Sequence, residues 1–267
     1  MGVLMLRTML AALAAILLVG VLSVLIVESR SVKEDYYIEH AERMRAIETT
    51  RSDLTTIVQG TQGAFDDGRT ISSSVDLAFA RLAETNAVLQ NADGRHRQNV
   101  AVDTSLQAYD NELQQFISDG KQFAERQNAL ADALQLLQEE SPVLVKDLRR
   151  FNLRIQSQNT FSLAIDIIEF ATGGDANAAE ISARIDALRN DQTIEAQAPG
   201  RVDAFAAAAI AIVSQHVAAE EALKRIGTSR ISENLWALSN EILNDNRRTV
   251  SRAERARLLL SVCAVLL

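Results

Sequence analysis

The chain has 267 residues and a formal net charge of −8, from 27 basic and 35 acidic side chains, so it lacks the basic balance typical of a nucleic-acid binder. Hydrophobic residues make up 48% but aromatics only 4%, with 2 prolines and a single cysteine, Cys263. That excludes a disulfide framework and a cysteine-built metal centre, and the wealth of Ala, Leu, Glu, Gln and Arg reads as an all-α protein.

From Thr8 to Val27 the chain runs TMLAALAAILLVGVLSVLIV without a charge. At about 1.5 Å per residue these positions reach across the roughly 30 Å of a bilayer core, so residues 8–27 are expected to form a transmembrane helix behind a short cytoplasmic segment, 1–7. A cleaved signal peptide is the alternative. The run is long for one, and Leu25-Ile26-Val27 before Glu28 is no small-residue cleavage site.

Arg30, Lys33, Arg43 and Arg45 stand close behind the span, which taken naively would place the large middle section in the cytoplasm. The charge rule governs short loops only, and long domains cross regardless. Of the 27 basic residues only Arg7 lies outside 28–257, so that section holds 26 against 35 acidic, a net −9. We read it as an extracytoplasmic domain, periplasmic above an inner membrane.

Within it, breaks at Asp66-Asp67-Gly68, Asn91 to Gly94, Ser141-Pro142, Thr172 to Asp175, Asn190 to Gly200 and Gly227-Thr228 separate seven expected helices. They lie at about 28–66, 71–90, 95–139, 142–171, 176–190, 201–226 and 229–257. No segment alternates as a strand would.

Each helix carries a seam. Steps of four and three in the third give Val102, Leu106, Tyr109, Leu113, Phe116, Gly120, Phe123, Gln127, Leu130, Leu134 and Leu137, all apolar but Gly120 and Gln127. This helix is too long for one compact bundle, and its register passes Gly120 without a slip. Either it breaks at Ser118-Asp119-Gly120 or, the reading the unbroken register favours, it runs through two helical bundles stacked end to end, an elongated bimodular architecture. The first helix gives Tyr37, His40, Met44, Ile47, Arg51, Leu54, Val58, Thr61 and Phe65. The fourth continues Leu144, Leu148, Phe151, Ile155, Gln158, Ser162 and Ile165, and the sixth gives Val202, Phe205, Ala209, Ile212, His216, Ala219, Leu223 and Ile226. Ile231, Leu235, Leu238 and Ile242 mark the last.

After Arg247, Arg248, Arg252, Arg255 and Arg257 a second apolar run, LLLSVCAVLL, occupies 258–267. It covers half of what a span requires. It reads either as a short apolar tail or, our preference, as the start of a second transmembrane helix that the intact protein would continue. No Gly/Pro linker separates either run from its neighbouring helix, so the first and last helices are expected to enter the membrane unbroken.

Polar residues in apolar seams need partners, water or a ligand. Arg51 could grip a carboxylate or phosphate, though a salt bridge or snorkelling is the plainer reading. Gln127 could contact a ligand or set register. A second group is Asn152, Arg154, Gln158 and Asn159 in FNLRIQSQN, with Phe151, and Asn234 and Trp236 in ENLW. An aromatic with amides can wall a small-molecule pocket, whereas core packing of Phe151 and Trp236 is the bland alternative. His216 and Glu220 share a face, but no further ligands accompany them, so no metal or cofactor is expected.

There is no GxGxxG, GxxxxGK[ST], HExxH or GxSxG, so this chain is read as non-catalytic. Nor do AERARLLL and HAERMRA contain the acceptor-histidine motif of a kinase dimerisation helix.

An anchor, about 230 helical residues and a second apolar run announced by RAERARLLL resemble the sensor half of a bacterial transmembrane receptor. More narrowly, MRAIETTRSDLTTIVQGTQG, LVKDLRRFNLRIQSQNTFSLAI and NRRTVSRAERARLLL make residues 30–257 similar to the double all-helical ligand-binding (DAHL-like) sensor region of VirA-like two-component sensor histidine kinases. Helical bimodular chemoreceptor domains are similar at this level. The resemblance implies an input region for signal transduction, a homodimer in contact with lipid, sensing a small molecule or a periplasmic binding protein. Its output domain, possessed by the intact kinase, would lie outside this chain. A methyl-accepting chemoreceptor and a non-sensing membrane-anchored helical protein are the alternatives.

Overall fold

The structure, a computed structural model, describes residues 2–29, 34–67, 69–92, 100–174 and 176–266, with side chains from Ile16 onward except those of 34, 35, 91, 92, 199 and 264–266. Among these the fold is all-α. Its helices are α1 (Gly2–Ser29), α2 (Glu34–Asp66), α3 (Ser73–Ala92), α4 (Val100–Arg150), α5 (Arg154–Ala171), α6 (Ala178–Arg189), α7 (Gln192–Glu195), α8 (Pro199–Thr228) and α9 (Ile231–Leu266). Gly68, Asp175, Arg30, Lys33 and the expected loop and helix start at 93–99 lie outside the described residues.

Two compact units divide the chain. Unit 1 gathers Met1–Thr49, Glu84–Tyr109 and Glu233–Leu267; unit 2 gathers Thr50–Ala83 and Asp110–Ser232. Helices α2, α3, α4 and α9 contribute residues to both.

The expected seam of α4 is buried or half-buried along its whole length, from Val102 to Leu137. It then continues through Ser141, Leu144 and Leu148, all buried. This overrides the expected break at Ser141-Pro142. Pro142 sits inside the helix on its exposed face, so the backbone hydrogen bond it removes can be replaced by water. The real end comes at Phe151–Leu153. Asn152 takes φ 59°, Leu153 N–H reaches Leu148 O at 2.9 Å and Asn152 N–H reaches Arg149 O at 3.1 Å. That is a Schellman ending with asparagine in the left-handed position, where its short polar side chain is tolerated.

Because the chain turns there, the helical phase restarts. The expected seam of the fourth helix carried α4's register into α5, and the structure corrects it: Phe151, Ile155, Gln158, Ser162 and Ile165 are exposed. Ser157, Thr160, Leu163, Ala164, Ile167, Phe170 and Ala171 face inward instead. α5 ends on a second Schellman turn at Gly173, φ 82°, with Gly174 N–H on Glu169 O at 2.8 Å.

The seam of α2 is also shifted. Ala46, Ile47, Thr50, Asp53, Leu54, Ile57, Thr61 and Ala64 are buried, whereas Arg51 and Val58 are exposed. An unpaired guanidinium would be costly in that stripe; a one-residue rotation puts Thr50 and Asp53 inside. Arg81 Nη2 lies 2.8 Å from Asp53, and Thr61 Oγ1 donates to Ile57 O at 2.8 Å.

The stretch expected as an open break at 190–200 contains α7 and the start of α8. Asp191 caps α7, accepting from Thr193 N–H at 2.9 Å and Ile194 N–H at 3.4 Å. Pro199 opens α8 at its N-terminus, where its missing N–H costs nothing. The expected α8 seam is buried except for half-buried Leu223, and with α4, α5 and α6 it closes a core from Leu130 to Ile212.

One helical stretch, within Gly200–Cys263, is long and apolar enough to cross a membrane, with mean hydropathy 1.5 over its most apolar window. Its uncharged part is Ala204–Ala219 of α8, where Phe205, Ala209 and Ile212 are fully buried. That length of apolar chain is thus accounted for by the core of unit 2. Ile16–Ser29 of α1 is a shorter apolar helix, and its Ile16 and Val27 are 71% and 70% exposed.

Candidate functional site

One concavity of unit 2 lies between α5 and the α6–α7 segment, a cavity of about 380 Å³ with charged and amide side chains in its lining; a second, mostly apolar one of about 350 Å³ lies between α3 and α4. Helical spacing places the walls of the first. Gln156, Asn159 and Leu163 succeed one another at steps of three and four on α5. Arg184, Ala187, Leu188 and Asp191, at i, i+3, i+4 and i+7, share one face along and just past α6. Leu163, Leu188 and Ile194 are buried and form an apolar floor.

Polar groups stand around that floor. Arg184 Nη1 donates to Asp166 Oδ2 and Nη2 to Ser162 Oγ at 3.3 Å. The guanidinium is therefore held in place while keeping further N–H donors, since it carries five. Asp191 uses Oδ1 for both capping bonds, which fixes its carboxylate at the other end of the cavity. The site can thus bind and orient by hydrogen bonding and charge.

Of the residues singled out from sequence, Asn159 lies in this cavity. Gln158 and Arg154 are exposed beside it on α5, and Asn152 is the residue that terminates α4. Asn234 and Trp236 belong to unit 1. There Asn234 Nδ2 donates to Ala108 O at 3.3 Å, while Trp236 is 63% exposed. Phe151 is exposed as well, so neither aromatic packs in a core. Arg51 points outward on α2.

Gln127 is buried, 2% exposed, and its Nε2 finds no acceptor among the described residues. His216 is also buried, between Phe65 at 4.8 Å and Phe170 at 4.5 Å between ring centroids. Burial pushes its pKa below the ordinary histidine value, against the pull of Glu220. The shift favours the uncharged imidazole, which packs between the two phenyl rings. Among the described residues no three His, Cys, Asp or Glu side chains gather as a metal site.

Sequence reasoning missed Arg184, Asp191, Gln156 and Asp166. The i, i+3, i+4, i+7 row from Arg184 to Asp191, apolar between charged ends, was a visible signal. That the row would face Asn159 was not visible.

Unit 1 holds a polar layer where α2 meets α9. Asn246 Nδ2 lies 3.1 Å from His40 Nε2, Arg43 Nη2 lies 3.1 Å from Glu39, and Tyr36 hydrogen-bonds Thr249. Burial and Arg43 lower the His40 pKa, while Asp245 opposes them. The hollow among these side chains is about 10 Å³, room for one water and no ligand. No protein-family model matches the chain, and no curated protein matches it.

Proposed function

We propose that this chain is the extracytoplasmic ligand-sensing input region of a bacterial transmembrane receptor of the sensor histidine kinase type. In this reading two helical bundles stand end to end as a homodimer between an anchor at 8–27 and a second span beginning at 258. The observation that carries it is the α5–α6 cavity, in which Arg184 and Asp191 are fixed by partners above an apolar floor. Preformed concave sites of this kind are where small ligands bind.

Support for the membrane part comes from α1, whose apolar side chains from Ile16 to Val27 lie largely exposed, and from α9, which stays helical to Leu266 with Leu258 and Val262 exposed. Within unit 1, Arg257 Nε reaches Ser29 O at 3.3 Å, which ties the end of α1 to α9. Ligand binding would favour one packing of the helices leading to the membrane over another. A displacement of about 1–2 Å suffices for such a change, with a coupling of about 1–3 kcal/mol.

The test is topological. In a Cys263→Ser background, Lys121→Cys and Asn190→Cys should react with a membrane-impermeant maleimide in intact cells whose outer membrane has been made permeable. Labelling of both only after the inner membrane is broken would overturn the reading.

A further inference from the structure

We infer that the α5–α6 cavity binds a short peptide of two or three residues with free termini and aliphatic side chains. The inference rests on the sensing reading only for its physiological use, since binding itself is a property of the cavity. The charges sit at opposite ends. Arg184 lies on α6 and Asp191 two residues past its end at Arg189, so a rise of about 1.5 Å per residue over most of that stretch puts their backbones on the order of 10 Å apart. Arg184 is drawn toward Asp166 and Ser162 at one end, and Asp191 is pinned to the α7 amides at the other.

A single amino acid is too short to touch both. An extended chain covers about 3.3–3.6 Å per residue, so two or three residues match the separation. The carboxylate end suits the guanidinium, which recognises planar anions through paired N–H donors. The ammonium end suits Asp191.

Between the ends, Gln156 and Asn159 line the wall. A side-chain amide offers the same donor and acceptor pair as a peptide group, so a peptide bond can be matched on both its N–H and its C=O. Leu163, Leu188 and Ile194 below them accept aliphatic side chains. Sugars would leave the apolar floor uncovered. A phosphate dianion would bring a second negative charge beside Asp166, and Arg184 is the one cation among the described residues of the lining to answer it, whereas a carboxylate brings a single charge.

The probe is Leu-Gly-Leu, titrated calorimetrically against the full chain in detergent micelles, beside its N-acetyl and C-terminal amide derivatives. Free Leu-Gly-Leu is expected to bind at least tenfold more tightly than either blocked form. Asp191→Asn keeps the oxygen that caps α7 and removes only the charge. In that variant the free and N-acetyl peptides should bind within about twofold of each other. Ala187→Phe, an exposed position on the cavity wall, should abolish binding with the helical circular-dichroism spectrum unchanged. Equal affinity for free and blocked peptides, binding that survives Ala187→Phe, or no heat at millimolar peptide would each overturn the inference. Any of these beside outside labelling of Lys121→Cys would remove the peptide and leave the sensing reading standing; inside labelling with specific peptide binding would do the reverse.

Discussion

Gly120 is where one atom decides a helix contact. It is buried on α4, and a Cβ there would overlap the ring of Phe79 from α3, which lies 6.1 Å from the Phe116 ring. Gly120→Ala is therefore expected to destabilise unit 2 by about 1–3 kcal/mol, because overpacking forces backbone or rotamer shifts. Thermal melts in detergent should show the loss. Adding Phe79→Leu to Gly120→Ala should recover part of it. If Gly120→Ala melts as the parent does, the close approach is wrong.

His216 gives a second outcome at this scale. Its folded pKa is lowered below the unfolded value of 6.5, so the unfolded chain binds the proton first. Stability from this residue is complete above that value and is lost as pH falls through the lowered folded pKa. His40 titrates in the same sense, so the measurement is a difference. His216→Phe should show a smaller fall in melting temperature between pH 7.5 and 5.5 than the parent. An identical fall would mean the buried imidazole does not drive it.

At the scale of elements, helix ends and phases carry most of the information. Pro142 lies inside α4, so the helix forms despite a residue that costs about 3 kcal/mol in a helix interior. Pro142→Ala should stabilise the protein, by about 1–3 kcal/mol once tertiary support is discounted. Destabilisation would instead indicate a helix boundary at 141–142.

Asn152 stands in the left-handed region, so Asn152→Val should cost about 1–2 kcal/mol while Asn152→Gly stays within a few tenths. Equal melts for the two would argue against the turn. The same turn explains why α5's face could not be read by extending α4. A seam is a phase, and a left-handed residue resets it.

For the whole molecule, an exposed apolar α1 makes a clear demand. Leu17→Lys with Val21→Lys places two charges in the stretch that would sit among lipid tails, at about 2.5–3.5 kcal/mol each near a helix centre. The parent should remain in the membrane pellet after alkaline extraction, and the double variant should move to the soluble fraction with the unit 2 melting transition unchanged. Equal partitioning of both would remove the anchor.

Much of this protein was legible without coordinates. The all-helical class and the buried stripes of α4, α8 and α9 arise from local propensity and from apolar residues repeating at three and four, which depend only on near neighbours. Tertiary packing decided the rest. Thr50 and Asp53 turned inward on α2, where Arg81 from α3 pairs with the carboxylate and offsets part of the cost of its burial, and α4 ran through Pro142 because the packing of Leu144 and Leu148 in the core outweighed the lost hydrogen bond. Likewise, Asn159 meets Arg184 and Asp191 around one cavity only because consecutive helices, α5 and α6, pack side by side, and no periodicity within a single helix records its neighbour.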